Sequence, residues 1–156
     1  MEATAQKLSV TRRIRASRQR VFRAWTEPEL MMRWFVEADW EMSLCRIDLR
    51  EGGKYRFEGA LGGRKWAVWG TYLEVQPPAR LVYTWIWEHD EGFGDPTGDT
   101  QVTVEFRESG TDTEIVLTHD RFDTARARED HAEGWVTCLD RIERLLMEPD
   151  GGLSVP

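Results

Sequence analysis

Apolar residues recur at helical spacing over the last long segment, Asp123 to Glu148, with Trp135, Leu139, Ile142 and Leu146 on one stripe and Cys138 and Leu145 beside it. The spacing predicts one amphipathic helix, and such a stripe needs a surface to lie on. His131, four residues before Trp135, falls on the same inward face. The preceding chain alternates between short helices and strands, the material of a curved antiparallel sheet able to wrap the helix. Leu8 to Arg15 alternates through Leu8, Val10, Arg12 and Ile14 as a first strand. Ser17 is placed to N-cap a short helix whose Val21, Phe22 and Trp25 share a face. Thr26-Glu27-Pro28 ends that helix and begins another, because a helix accepts proline only in its first turn. Leu30, Met31, Trp34 and Phe35 form the apolar side of this second helix, and Met31, Met32 and Trp34 are candidates for an adaptable rim.

From Trp40 to Leu49 the alternation changes phase, from Trp40, Met42 and Leu44 to Ile47 and Leu49, which predicts a bulge or a sharp bend. Glu51-Gly52-Gly53 is a turn in which paired glycines supply positive backbone dihedrals. Lys54 to Gly59 places Tyr55 and Phe57 on one face; Gly62-Gly63 turns the chain again. Trp66 to Val75 is apolar on both faces, so periodicity leaves its inward side open, and Trp69 counts among its candidate lining residues. After the Pro77-Pro78 turn, Leu81 to His89 sets Tyr83, Trp85 and Trp87 against Val82, Thr84 and Ile86. Those three rings either fill the space beneath the C-terminal helix or line one wall of a cavity there. Glu88 to Asp99 reads as a long hairpin loop without the ligand spacing of a calcium-binding hand. Gln101 to Arg107 and Thr113 to His119 are two further strands joined at Ser109-Gly110, and Pro149-Asp150-Gly151-Gly152 ends the last helix. The pattern predicts one domain over 7–149 with flexible tails at 1–6 and 150–156.

Composition narrows the chemistry. With 156 residues and a formal charge of -7, the chain suits a single domain with a substantial core and lacks the basic balance of a nucleic-acid binder. Eight tryptophans point to a bulky core or a cavity with flat apolar walls. Cys45 and Cys138 stand far apart in apolar patterns, which predicts reduced thiols in a cytoplasmic protein and neither a disulfide framework nor a zinc site. No apolar run is long enough for a signal peptide or a membrane span. The glycine pairs lack the Lys-Ser/Thr and helix context of a phosphate loop, and no cofactor or metal is expected. Arg12, Arg13, Arg15, Arg18 and Arg20 read as a solvated face, and Asp48 with Arg50 as an exposed ion pair on one side of a strand.

Particular stretches resemble a known family. They are Val21-Phe-Arg-Ala-Trp-Thr-Glu-Pro28 with Arg33-Trp34, Asp48-Leu-Arg-Glu-Gly-Gly53, Gly70-Thr-Tyr-Leu-Glu-Val-Gln-Pro-Pro78 running into Leu81-Val-Tyr-Thr-Trp85, Leu117-Thr-His119, and His131 followed by Gly134-Trp135. Together they resemble the START-like SRPBCC superfamily, in the family related to the C-terminal domain of the activator of the heat shock protein 90 ATPase. The resemblance implies an α+β helix-grip fold: a curved antiparallel sheet of about seven strands around a long C-terminal helix, with two short helices after the first strand. It implies no catalytic set, because members include hydrophobic-ligand binders, polyketide cyclases and stress proteins with no shared catalytic motif. The N-terminal domain that the eukaryotic co-chaperone places before this module has no counterpart in the chain, so the match does not imply chaperone activation.

The expected function is binding of a small apolar or aromatic ligand between sheet and helix, in a carrier, sensor or stress-related role. Met31, Trp34, Phe57, Trp69, Trp85, Trp87, Trp135 and Cys138 are the candidate apolar lining, and Tyr83, His119 and His131 the polar groups. An enzyme of cyclase type would use His131 or His119 as general acid or base. A chaperone or protein-interaction module would expose an apolar patch around Trp34, Phe35 and Trp40. The edge strands also allow a homodimer.

Overall fold

The structure is a computed structural model and describes residues 7–35, 40–89 and 99–147. Its elements are β1 (Leu8–Ile14), α1 (Arg18–Thr26), α2 (Pro28–Trp34), β2 (Glu41–Ile47), β3 (Lys54–Leu61), β4 (Arg64–Gln76), β5 (Arg80–His89), β6 (Thr100–Ser109), β7 (Asp112–Asp120) and α3 (Ala125–Met147). The strands form one antiparallel seven-stranded sheet in the order β1-β7-β6-β5-β4-β3-β2. Every neighbouring pair but β1–β7 is consecutive in the chain. The two short helices carry the chain from β1 at one edge to β2 at the other. α3 lies against β1 and α2, while α1 packs on β6 and β7 and α2 on β2. A curved sheet thus closes over a helical layer, the helix-grip arrangement that the family resemblance implies.

Local chemistry explains the helix pair. Ser17 caps α1, its hydroxyl accepting from the Arg20 amide at 3.3 Å, and the Thr26 hydroxyl donates back to the Phe22 carbonyl at 2.9 Å. Glu27 is extended and Pro28 opens α2. The indole of Trp34 then donates to the Ala24 carbonyl at 2.8 Å and lies on Trp25, ring centroids 4.7 Å apart, locking α2 onto α1.

Two bulges decide which strand residues face inward. Met42 pairs with Gly59 and Leu44 with Glu58, so Met42 and Cys45 both point to the core and Leu44 points away. The phase change lies two residues earlier than the apolar pattern of β2 suggested. A second register shift between Tyr72 and Glu74 keeps Tyr72 and Val75 on one face. The inward side of β4, open in the sequence, is therefore Trp66, Val68, Gly70, Tyr72 and Val75, with Trp69 and Leu73 outward. Gly70 must lack a side chain, because a Cβ there would collide with the Thr84 carbonyl oxygen. In the turn after β2 only Gly52 has positive φ, at 84°; Gly53 is needed because a Cβ would strike the Asp48 carbonyl.

The arginine cluster is not simply a solvated face. Arg12 lies on the inward side of β1 and reaches Asp140 at 2.8 Å and Glu143 at 3.1 Å on α3. Arg20 donates to the Leu146 carbonyl at 3.2 Å, near the end of the same helix. Arg13 pairs with Asp112 at 2.9 Å, and Arg50 with Asp48 at 3.0 Å, the latter in the turn after β2 and not on a strand. The Arg12 side chain is 22% exposed and those of Asp140 and Glu143 are 50% and 34% exposed, so screening by water and salt is substantial. Arg12→Met is expected to cost about 1 kcal/mol in urea denaturation at low salt, with most of the difference gone at high ionic strength. A loss independent of salt would show that the side chain acts by packing alone.

Candidate functional site

The space between β5–β7 and α3 is built from rings that hydrogen-bond one another. His119, fully buried at the end of β7, accepts from the Trp135 indole at Nδ1 (3.1 Å) and contacts the Thr100 hydroxyl at Nε2 (2.8 Å). The Thr100 hydroxyl donates to the Trp85 carbonyl at 2.7 Å, so its oxygen is left to accept from His119. His119 is therefore the Nε2–H tautomer. His131 has the opposite one: its Nε2 accepts from the Trp85 indole at 3.3 Å and its Nδ1–H donates to the Ala127 carbonyl at 2.8 Å. All four imidazole nitrogens are engaged within the protein.

Burial reinforces that state. Desolvation holds His119 well below the ordinary imidazole range, and the nearby His131, with ring centroids 5.3 Å apart, lowers it further. His131 is also lowered by burial, partly offset by its bond to the Ala127 carbonyl and by Asp130. A proton on His119 Nδ1 would face the Trp135 N–H, donor against donor. The pair is neutral, and protein partners occupy the atoms a general base would need.

Of the residues singled out from the sequence, Phe57, Tyr83, Trp85, Trp87, His119, His131 and Trp135 share the inward side, Trp85 being the hub at 5.2 Å from Trp135 and 5.4 Å from His119. Cys138 joins them from α3, its thiol donating to the Phe35 carbonyl at 2.6 Å. Met31 is buried in the same core from α2. Two do not belong. Trp69 points to the opposite face of the sheet, opposite Arg56 and Ile86, where its indole donates to Glu88 at 2.7 Å. Trp34 is spent on α1 and is fully buried. With Phe35 also buried, the exposed patch around Trp34, Phe35 and Trp40 is absent as drawn; Trp40 is half-buried against Trp66 and Trp87. The loop expected between Glu88 and Asp99 lies, from 90 to 98, outside the described residues, as do the two tails.

A protein-family model described as activator of Hsp90 ATPase homolog 1-like protein matches residues 15–147. The chain belongs to this family. Among solved structures, a protein from Chromobacterium violaceum superposes with a TM-score of 0.80 at 24% identity, over 92% of this chain and 99% of that one. One from Nitrosomonas europaea gives 0.74 at 28% identity, over 92% and 96%. The AHSA1-like protein from Aeromonas hydrophila gives 0.70 at 27% identity, over 88% and 90%. No curated protein matches the chain. The fold is that of the START-like SRPBCC superfamily, and among the described residues no helix is long and apolar enough to cross a membrane.

Within this homolog 1-like domain the sequence reading missed Thr100, Phe35, Trp66 and Tyr72. Thr100 was legible, since it continues the inward phase of Val102, Val104 and Phe106 by two residues. Trp66 and Tyr72 were hidden by the two-sided apolar pattern of β4. Trp66 stacks on Trp87 at 5.9 Å, and its indole nitrogen is buried without a hydrogen-bond partner. Neither cysteine is in a disulfide, and burial pushes the Cys45 thiol up to about 12, which keeps it protonated and poorly nucleophilic. Among the described residues no group of His, Cys, Asp and Glu is arranged to hold a metal ion.

Proposed function

We propose that this homolog 1-like domain binds a small apolar or aromatic molecule on the inward face of the sheet, as a cytoplasmic carrier, sensor or stress-related protein. One observation carries the reading. The interior polar groups around Trp85 bond one another, and apart from exposed Arg64 at the hairpin end of β4 the inward positions from Met42 on β2 to Phe106 on β6 hold no charged side chain among the described residues. What is left to meet a guest is aromatic and aliphatic surface, with half-buried Trp87 and Trp40 at one end and half-buried Ile47 and Val75 at the other. The engaged imidazoles favour binding over cyclase-type catalysis, and burial of Trp34 and Phe35 weakens the case for docking of a chaperone there.

The test is a thermal-shift screen with fatty acids, sterols, flavonoids and polyketide-like aromatics. A ligand at about a hundred times its dissociation constant adds roughly 2.7 kcal/mol, which should raise the melting temperature by about 5–10 °C for a chain this long. The shift should shrink in Trp87→Ala. Silence across the panel would overturn the proposal.

A further inference from the structure

Three tyrosines from adjacent strands meet on the inward face: Tyr55 of β3, Tyr72 of β4 and Tyr83 of β5. Their ring centroids are 5.6 Å (Tyr55–Tyr72), 5.4 Å (Tyr55–Tyr83) and 5.8 Å (Tyr72–Tyr83) apart, and the β4 bulge leaves Tyr72 paired directly with Tyr83. All three are at least nineteen-twentieths buried, at 3%, 3% and 5% exposure. A buried phenol ordinarily spends its hydrogen on a protein acceptor. Only Tyr55 does so, donating across the missing side chain of Gly70 to the Thr84 carbonyl at 2.5 Å. The Tyr83 oxygen accepts from the Trp25 indole at 3.2 Å, and among the described residues nothing accepts its own hydrogen. The Tyr72 hydroxyl makes no hydrogen bond to any described residue, yet it is not sealed from solvent.

The surroundings define what those two hydroxyls can hold. Burial raises the Tyr72 and Tyr83 phenols above their ordinary range, so both remain neutral donors, and the neighbouring Cys45 thiol also stays protonated. Half-buried Cys45, Ile47 and Val75 lie on the same face as the trio. The one inward-phase cation on β2 to β5 among the described residues, exposed Arg64, stands at the far hairpin end of β4, so none is beside the tyrosines to neutralise a carboxylate or phosphate, and an unpaired anion in such a place is costly. A carbonyl oxygen has two lone pairs and no charge, and accepts two donors.

We infer that Tyr72 and Tyr83 form a hydroxyl clamp for the carbonyl oxygen of a neutral, flat, apolar ligand of the aryl ketone class. The inference rests on the ligand-binding reading above and adds the polarity of the guest. It separates two ends of one face: Trp66 and Trp87 offer ring surface, and the tyrosines offer donors.

The probes are fluorenone and fluorene, nearly the same shape with and without the carbonyl, titrated by quenching of tryptophan fluorescence. Wild-type protein should bind fluorenone about tenfold more tightly than fluorene, the equivalent of roughly one good hydrogen bond. The Tyr72→Phe/Tyr83→Phe double variant keeps both rings and should bind fluorene as before while losing the preference. Tyr55→Phe, whose hydroxyl is spent inside the protein, should retain it. The infrared carbonyl stretch of bound fluorenone should lie below its value in alkane and return towards it in the double variant. Equal binding of the two probes by wild type, or equal loss of preference in Tyr55→Phe, overturns the clamp and leaves the apolar site standing. If neither probe binds while the screen finds another ligand, the clamp alone fails; if the screen is also silent, both readings fail.

Discussion

Replacing Trp135 by alanine is expected to destabilise the protein by about 3–5 kcal/mol, the range for truncating a buried aromatic ring, and to lower the melting temperature by roughly ten degrees or more. Trp135 is 3% exposed and touches Trp85, Trp25, Phe35 and His119, so the cavity would have four aromatic walls and little freedom to collapse. Trp135→Phe separates packing from hydrogen bonding. Phenylalanine keeps a ring but removes the N–H that His119 Nδ1 accepts at 3.1 Å, leaving a buried acceptor unsatisfied at a cost of about 1–3 kcal/mol. It also removes one of the two contacts that fix the His119 tautomer. Urea denaturation of both variants, with nitrogen-15 imidazole shifts of the phenylalanine protein, measures the two effects. A Trp135→Phe protein as stable as wild type, with an unaltered His119, would mean that the indole–imidazole bond contributes nothing.

The same interior shows what a linear pattern can and cannot disclose. The stripe Trp135, Leu139, Ile142 and Leu146 placed α3 to within two residues of its ends, because its face is one-sided and the 3.6-residue period is unambiguous. β6 and β7 were equally plain, their inward Val102, Val104, Phe106, Ile115 and Leu117 all being at most 1% exposed. β4 was not, since Ala67, Trp69 and Leu73 make its outer face as apolar as its inner one. Trp69 was placed in the site for that reason. The phase change announced the β2 bulge but not its position, and the β4 bulge left no mark in the pattern, so the inward places of Cys45 and Val75 came only with the register of the partner strands. His119 and His131 were correctly placed inward, but their partners lie 16 and 46 residues away in sequence. No local spacing could reveal that indole donors from Trp135 and Trp85 occupy them. Both imidazoles are thus engaged within the protein, and of the three polar groups named from the sequence Tyr83 is the one whose hydroxyl hydrogen no described residue accepts.

Those occupied imidazoles make stability depend on pH with a definite sign. Both histidines are depressed in the folded protein relative to an unfolded value near about 6.5, so below that point the unfolded chain takes up protons that the folded one refuses. Stability is therefore fully present above about pH 6.5 and falls as the pH drops towards the folded-state values. Each histidine contributes at most about 1.4 kcal/mol per pH unit in that window. His119, the more deeply depressed, should contribute the larger share of the loss below about pH 6.5, and His131 the smaller, since its bond to the Ala127 carbonyl and Asp130 favour its charged form. The expected total loss between pH 7.5 and pH 5 is roughly 2–4 kcal/mol, read as a shift in urea midpoint at constant ionic strength. In His131→Gln the amide can still accept from the Trp85 indole but cannot titrate, so the variant should lose less stability on acidification than wild type. A urea midpoint that stays level from pH 7.5 to 5 would require an imidazole able to charge inside the fold. That would overturn the reading that burial and the indole bonds hold both rings neutral, and restore His119 or His131 as a candidate general base.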